Sequence, residues 1–425
     1  MYKYKELLHL DLEMSSLCNA LCPVCNRRAN GGLKNKTFRE TYVTLEDFKN
    51  WFSDDFVAQL YGIQMCGNYG DAMTNPELIS ILTHVKSINP KIVMTMNTNA
   101  SGRDPEFWYE LGKLIGQVGY ITFSVDGLED TNHIYRRGTY WDKILMAMEN
   151  YTRGGGRARW EFLVFKHNQH QIKEAKALAK KIGIQEFYKK KALGFVHHDT
   201  EREVKEGIKV FDTEGLYQYM IESPDEEFTN NKGNVMFDKS AKGNKRYENI
   251  YDTTKQMDGV DIDAVIKEIK ERKYKTDYTK QQVYIPPVFE LDLKRPLTKW
   301  EKKMGSCKID CMVAGPRKSF FVTSEGLVFP CCFTASKYYA YDNEEVAQLK
   351  NFIDSYGKKN ISLEYNSLED IINGPMFQER WIENFNDNDV RNKRLRTCAI
   401  FCGKETNEEF NETIESIEKK SNAFK

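Results

Sequence analysis

The chain has 425 residues, 40% hydrophobic and 29% charged, and its 62 basic and 62 acidic residues leave no formal net charge. That length exceeds what one compact core normally fills, so two domains, or one large domain with an appendage, are expected. Balanced charge gives no global attraction for nucleic acid or an anionic membrane. No apolar stretch suits a signal peptide or a membrane span, so a cytoplasmic location is expected.

Leu7 to Met14 alternates apolar and polar residues and reads as a strand that delivers Cys18-Asn-Ala-Leu-Cys22-Pro-Val-Cys25 at its C-terminal end. Thr44 to Asp47 opens a helical pattern that runs to Leu60, with threonine as N-cap and an acidic first turn. Strand Gly62 to Cys66 runs into Gly67-Asn-Tyr-Gly-Asp71, and a helix starts at Asn75-Pro-Glu77. The alternation continues with strand Ile92 to Met96, helix Pro105 to Gly116, strand Tyr120 to Val125 and helix Trp141 to Tyr151. Strand Trp160 to Phe165, helix Gln171 to Ile182 and strand Phe187 to Gly194 complete it. Repeated βα units over residues 1–195 imply a parallel sheet with helices outside, either open or closed into a barrel.

From 196 to 300 acidic and basic residues crowd together, and apolar periodicity is weak except at Ile262 to Ile269. This charged insert has no role legible in the sequence: lid, substrate-recognition element and linker all fit its composition. Lys318 to Val322, a turn at Ser324-Glu-Gly326 and Leu327 to Phe329 read as a β-hairpin ending in Pro330-Cys-Cys332. Helical patterns follow at Leu368 to Ile372 and Phe377 to Phe385, and Cys398-Ala-Ile-Phe-Cys402 closes the set.

The 10 cysteines are grouped at 18–25, at 307–332 and at 398 and 402, with Cys66 apart. In an unsecreted chain such groups read as metal ligands rather than disulfides, because reducing compartments keep thiols free. Soft thiolates favour iron–sulfur clusters or zinc. A closed structural site takes four protein ligands, whereas the first group offers three and leaves a position open.

The CxxxCxxC loop after the first strand resembles that of the radical S-adenosylmethionine (SAM) superfamily. The resemblance implies a partial (β/α)6, TIM-like barrel over 1–195, with chemistry at the C-terminal ends of the strands. It also implies that Cys18, Cys22 and Cys25 hold a catalytic [4Fe-4S] cluster whose open iron binds SAM. Val24 stands where the family often has an aromatic residue before the third cysteine.

Gly67, Asn68, Gly70 and Asp71 resemble the family's glycine-rich element that receives the SAM amino group, with Asp71-Ala72 in place of Glu-Pro. A backbone that approaches a ligand closely favours residues without Cβ, and a carboxylate offsets an ammonium. Asn97 and Asn99 after the third strand, and Ser124 and Asp126 after the fourth, resemble segments that face the methionine and ribose parts of SAM. Arg136 matches an arginine expected to pair with the SAM carboxylate. Asparagine and serine also cap helices in any α/β protein. Phe165-Lys-His-Asn168 resembles a family segment without an assigned role.

Cys311, Cys331, Cys398 and Cys402 resemble the ligands of a SPASM/twitch auxiliary domain, which implies a small α+β domain at 301–425 with a β-hairpin and a second [4Fe-4S] cluster. Cys307 is an alternative to Cys311, Cys332 and Cys66 are spare, and a zinc knuckle is the structural alternative for the same thiols. Reductive cleavage of SAM to a 5′-deoxyadenosyl radical, followed by hydrogen abstraction from a peptide or protein substrate, is the function the resemblance implies. An external electron donor of flavodoxin or ferredoxin type goes with it. Dehydrogenation or rearrangement of a small metabolite is the alternative reaction, and a non-catalytic zinc-binding interaction protein is the alternative class. With strand one opening near Leu7, neither a leader-binding nor a cobalamin-binding domain is expected ahead of the barrel.

Overall fold

A computed structural model of the chain describes residues 2–116, 118–192, 195, 207–228, 235–236, 296–311, 313–315, 317–340 and 344–403. The helical pattern at Ile262 to Ile269 lies outside the described residues.

Six strands follow the alternation read from the sequence: β1 (His9–Leu12), β2 (Gly62–Met65), β3 (Val93–Thr98), β4 (Tyr120–Ser124), β5 (Ala158–Val164) and β6 (Glu186–Lys191). They pair in parallel in that order. Helices α1 (Leu45–Trp51), α2 (Asp54–Gln59), α3 (Leu78–Ile88), α4 (Pro105–Ile115), α5 (Asn132–Tyr135), α6 (Trp141–Arg153) and α7 (Ile172–Ile182) lie in the connections. One residue of every pair along a strand faces these helices. Leu10, Leu12, Ile63, Met65, Met94, Met96, Ile121, Phe123, Trp160 and Phe162 are all buried in one core. The alternate residues Asp11, Gln64, Thr95, Asn97, Thr122, Ser124, Arg159 and Glu161 therefore share the opposite face. That face is polar, as suits a barrel whose interior is a site rather than a packed core. Charges there are paired: Arg317 donates to Asp11 at 2.7 Å and to Gln64 at 2.8 Å, and Arg159 to Glu186 at 2.9 Å.

Two local differences from the sequence reading have clear causes. The helix expected from Thr44 to Leu60 is two helices. Its start is the Thr44 N-cap anticipated there, Thr44 Oγ1 accepting from the Asp47 N–H at 3.0 Å, and Asp47 completes a capping box. Phe52 then turns to extended backbone and packs on Phe48 and Phe56, while Ser53 caps α2 by accepting from the Phe56 N–H at 3.2 Å. The second difference concerns the C-terminal hairpin, strands β10 (Ser319–Val322) and β11 (Val328–Phe329), which joins the barrel sheet instead of standing apart. β10 pairs in parallel with β1 from His9↔Ser319 to Leu12↔Val322, and β11 returns antiparallel. An unpaired β1 edge would leave a row of N–H and C=O groups without partners, and Phe320 packs on Phe56 of α2. At the far edge β9 (Val235–Met236) runs antiparallel to β6. The result is an open, mostly parallel barrel followed by helices 332–338, 344–356, 368–373, 381–386 and 396–402.

Within the stretch read as a charged insert, β7 (Gly207–Phe211) and β8 (Tyr217–Glu222) form a separate antiparallel hairpin. It lies on the cysteine loop: Arg137 donates to Phe211 O at 2.6 Å and to Gly31 O at 3.3 Å, and the Tyr219 hydroxyl donates to Ile134 O at 2.7 Å. Ile208, Val210 and Ile221 close an apolar cluster with Ile134, Tyr135 and Phe165, against which Cys22 packs.

Candidate active site

The loop that follows β1 carries Cys18, Cys22 and Cys25, each partly buried and each a free thiol. The loop is pinned by its own backbone, with Cys25 N–H donating to Cys22 O at 3.1 Å and Leu21 N–H to Arg137 O at 2.8 Å. Arg27 reaches back to Cys18 O at 2.9 Å and pairs with Glu40 at 2.9 Å. Burial raises all three thiols, that of Cys25 to about 11, and Cys22 adds to the rise at both neighbours. Three mutually interacting thiols held protonated by burial suit a metal cluster, whose charge converts them to thiolates on binding. The donor set fits soft iron with one position open.

Two polar side chains address the sulfurs. Asn99 donates to Cys18 Sγ at 3.5 Å and to Asn19 Oδ1 at 3.1 Å. Arg136 lies with Nη1 3.8 Å from Cys22 Sγ and, through Nε, pairs with Asp126 at 2.5 Å. Asp126 is fully buried and its other oxygen accepts the Leu163 N–H at 2.6 Å. Burial raises the Asp126 carboxyl and Arg136 offsets part of that rise. The arginine is thus oriented by a buried carboxylate at a thiol of the loop.

The glycine loop after β2 stands beside the cysteine loop. A Cβ on Gly70 would come within 1.8 Å of Ser15 O, so only glycine permits this approach. Glu13, at the end of β1, receives the N–H groups of Tyr69 at 2.6 Å and Gly70 at 2.9 Å. Asp71 is spent on the scaffold: it accepts from Met73 N at 3.2 Å, Thr98 Oγ1 at 3.0 Å and Asn99 N at 2.7 Å, tying this loop to the end of β3. Burial is the main cause of its raised carboxyl pKa. Asn68 donates to Cys332 O at 3.0 Å. Asn97 is exposed on the polar face of β3, and Ser124 is half-buried at the end of β4. Asn168, in the segment that had no role, donates to Asp126 O and Leu163 O, both at 2.9 Å, and so fastens the β4 and β5 ends together.

A second thiol site lies in the C-terminal region. Cys311, Cys331, Cys398 and Cys402 line one cavity with Ile309, Val313, Pro330, Phe333, Phe385 and Phe401. The helix 396–402 places Cys398 and Cys402 one turn apart on one face, and Phe333 stacks on Phe401 at 4.2 Å. Cys402 and Cys311 interact directly, which lowers the Cys311 thiol and raises that of Cys402, while burial pushes Cys331 up to about 11. Cys307 is absent from this cavity: its thiol donates to Met304 O at 3.2 Å inside a separate cluster with Val390 and Ile400. Cys66 and Cys332 are neighbours on the Arg317 side of the barrel. Among the described residues no three His, Cys, Asp or Glu side chains close around a point as they would for a single metal ion.

Sequence reasoning missed Glu13, Arg27, Asn19 and Tyr69. Glu13 gave no distinct signal, because an acidic residue alternating with Leu10, Leu12 and Met14 reads as any solvent-facing strand position.

An open parallel α/β barrel with thiol groups at the carboxyl ends of its strands defines the class, and sequence families define it further. Residues 12–179 match the family model of the radical SAM superfamily, and residues 311–403 match that of SPASM, an iron–sulfur cluster-binding domain. The chain belongs to the radical SAM enzymes that carry a SPASM-type auxiliary domain, with SAM, a [4Fe-4S] cluster and auxiliary iron–sulfur binding as the cofactors of these domains. Among solved structures, Streptococcus suis SuiB bound to its precursor peptide SuiA is 12% identical, with 92% of this chain and 76% of that chain covered and a TM-score of 0.43. Native anSMEcpe with bound AdoMet is 11% identical, with 98% and 100% covered and a TM-score of 0.44. No curated protein matches the sequence. No helix among the described residues is long and apolar enough to cross a membrane.

Proposed function

We propose that this chain is a radical SAM enzyme that reductively cleaves SAM and removes hydrogen from a peptide or protein, leading to oxidation, cross-linking or epimerisation. The observation that carries the reading is the three-thiol loop of Cys18, Cys22 and Cys25, set against the glycine loop at the carboxyl ends of β1 and β2. When bound, the cluster supplies the electron that breaks a carbon–sulfur bond of SAM. The chain's own residues bind, orient and shield. Cys18, Cys22 and Cys25 hold the cluster; Gly67, Asn68 and Gly70 offer backbone to the SAM amino group; Asn97, Ser124 and Asn99 form the polar rim. Arg136, oriented by Asp126, faces the SAM carboxylate, while Asp71 fixes the Asn99 turn. The β7–β8 hairpin keeps water from the Cys22 side of the loop.

Cys311, Cys331, Cys398 and Cys402 hold a second [4Fe-4S] cluster that passes electrons, in an apolar setting that tunes its potential. The SPASM-type resemblance supports a peptide or protein as the substrate. Free thiols throughout fit a reducing cytoplasm and a flavodoxin- or ferredoxin-type donor. In this reading residues 1–195 are the barrel and 301–425 the auxiliary region, with β10 and β11 shared between them. Anaerobically reconstituted protein, given SAM and a strong reductant, is expected to release 5′-deoxyadenosine. Protein with a full iron complement that forms none would overturn the reading.

A further inference from the structure

We propose that Glu13 is the positioning residue that aims the glycine loop at the SAM ammonium group. The inference rests on the reading of residues 67–70 as the amino-group site and deepens it. Glu13 is 1% exposed, and a single oxygen, Oε1, receives both the Tyr69 N–H at 2.6 Å and the Gly70 N–H at 2.9 Å. A trans peptide unit points its N–H and its C=O in opposite directions. The Tyr69 N–H belongs to the same unit as the Asn68 carbonyl, and the Gly70 N–H to the same unit as the Tyr69 carbonyl. Drawing both N–H groups onto Glu13 therefore turns both carbonyls to the other side of the loop. Among the described residues nothing donates to the carbonyl of Asn68 or of Tyr69.

The loop has little freedom to turn back. Gly70 lies against the Ser15 and Ser16 backbone, and the Asp71 N–H donates to Leu17 O at 2.8 Å. Two carbonyls on that side without a donor, polarised from behind by a buried carboxyl, are acceptors for an alkylammonium group. Among the described residues Glu13 hydrogen-bonds the glycine loop and no thiol of the cysteine loop, so it acts on SAM through the geometry of the glycine loop.

The test uses full-length reconstituted protein with Glu13→Ala, Glu13→Gln and Glu13→Asp. Iron content, SAM affinity by equilibrium dialysis and the change in the electron paramagnetic resonance spectrum on adding SAM are measured for each. Glu13→Gln keeps an oxygen that accepts both N–H groups, so its affinity is expected within about threefold of wild type. Glu13→Ala and Glu13→Asp lose that reach, and SAM affinity is expected to fall about tenfold or more with iron unchanged. Glu13→Asp keeps the assay decisive should the alanine variant not fold. Wild-type affinity in Glu13→Asp and Glu13→Ala, or loss of iron in step with SAM binding in all three, would overturn the proposal. Wild-type protein that holds its cluster and binds no SAM would overturn the reading of the site itself, and this inference with it.

Discussion

The hydroxyl of Tyr69 donates a hydrogen bond to the main-chain carbonyl of Ser336, joining the glycine loop to the helix 332–338 that begins beside Cys331. The same helix is held by Asn68 at Cys332 O (3.0 Å), by Asn26 at Ser336 Oγ (3.1 Å) and, just beyond its end, by Asn35 at Tyr339 O (2.7 Å). One short helix thus touches both loops of the candidate SAM site and leads directly into the auxiliary thiol site.

Tyr69→Phe removes the one side-chain bond from this loop to Ser336 O while keeping the ring packed between Phe38 and Tyr339. A buried hydrogen bond contributes about 1 kcal/mol, so the melting temperature is expected to fall by about 2–4 °C. Differential scanning calorimetry checks this. A melting temperature equal to wild type would mean that the bond contributes nothing to the junction.

Replacing Cys18, Cys22 and Cys25 together by alanine is expected to abolish 5′-deoxyadenosine formation and to remove about four irons per chain. Chromatography of the quenched reaction and colorimetric iron analysis read the two effects. Undiminished 5′-deoxyadenosine in the triple variant would exclude these residues as ligands.

In that same triple variant about four irons and four sulfides are expected to remain, with a resonance spectrum that substrate does not alter. Adding Cys311→Ser should remove them, whereas adding Cys307→Ser should not, because the Cys307 thiol faces Met304 and not the cavity. Zinc in place of iron would identify a structural knuckle.

Arg136→Ala is expected to weaken SAM binding by about 1–3 kcal/mol through loss of a charge-assisted contact. Asp126→Ala leaves the Arg136 charge without its buried partner and should destabilise the fold by about 3–5 kcal/mol. Dialysis and denaturant unfolding, respectively, distinguish a binding role from a folding role.

The Glu13 carboxyl is pushed by burial from the ordinary 4.5 up to about 8, with the Tyr69 and Gly70 N–H groups and Arg27 opposing the rise. The folded chain then holds a proton that the unfolded chain has released, so stability falls as pH rises from about 4.5 to 8, by up to ~1.4 kcal/mol per pH unit. Glu13→Gln does not titrate. The melting temperature of wild type relative to this variant should therefore drop steadily across that window and level off above it. A constant difference from pH 5 to 8 would show that Glu13 is ionised throughout.

Much of this protein is written locally. Period-two strands, helix caps such as Thr44 with Asp47, and cysteines three and four apart depend on neighbours in the chain, so the βα alternation and the three-thiol loop were legible without a structure. The Phe52–Ser53 break was not, because Ser53 reads equally well as an exposed helical residue until Phe52 is seen packed between Phe48 and Phe56. Nor did local pattern distinguish Cys307 from Cys311. They lie on one short stretch, and only the direction of each thiol, toward Met304 or toward Cys402, separates them. Tertiary structure alone decided the partners of Glu13, 56 and 57 residues away, and those of Asn26 on the auxiliary helix, 310 residues away. The sequence dictates which residues carry donors, acceptors and thiols, because those are covalent facts. Which of them meet is settled by the closing of long loops around a shared core, as in the pairing of β1 with β10, where His9 lies opposite Ser319.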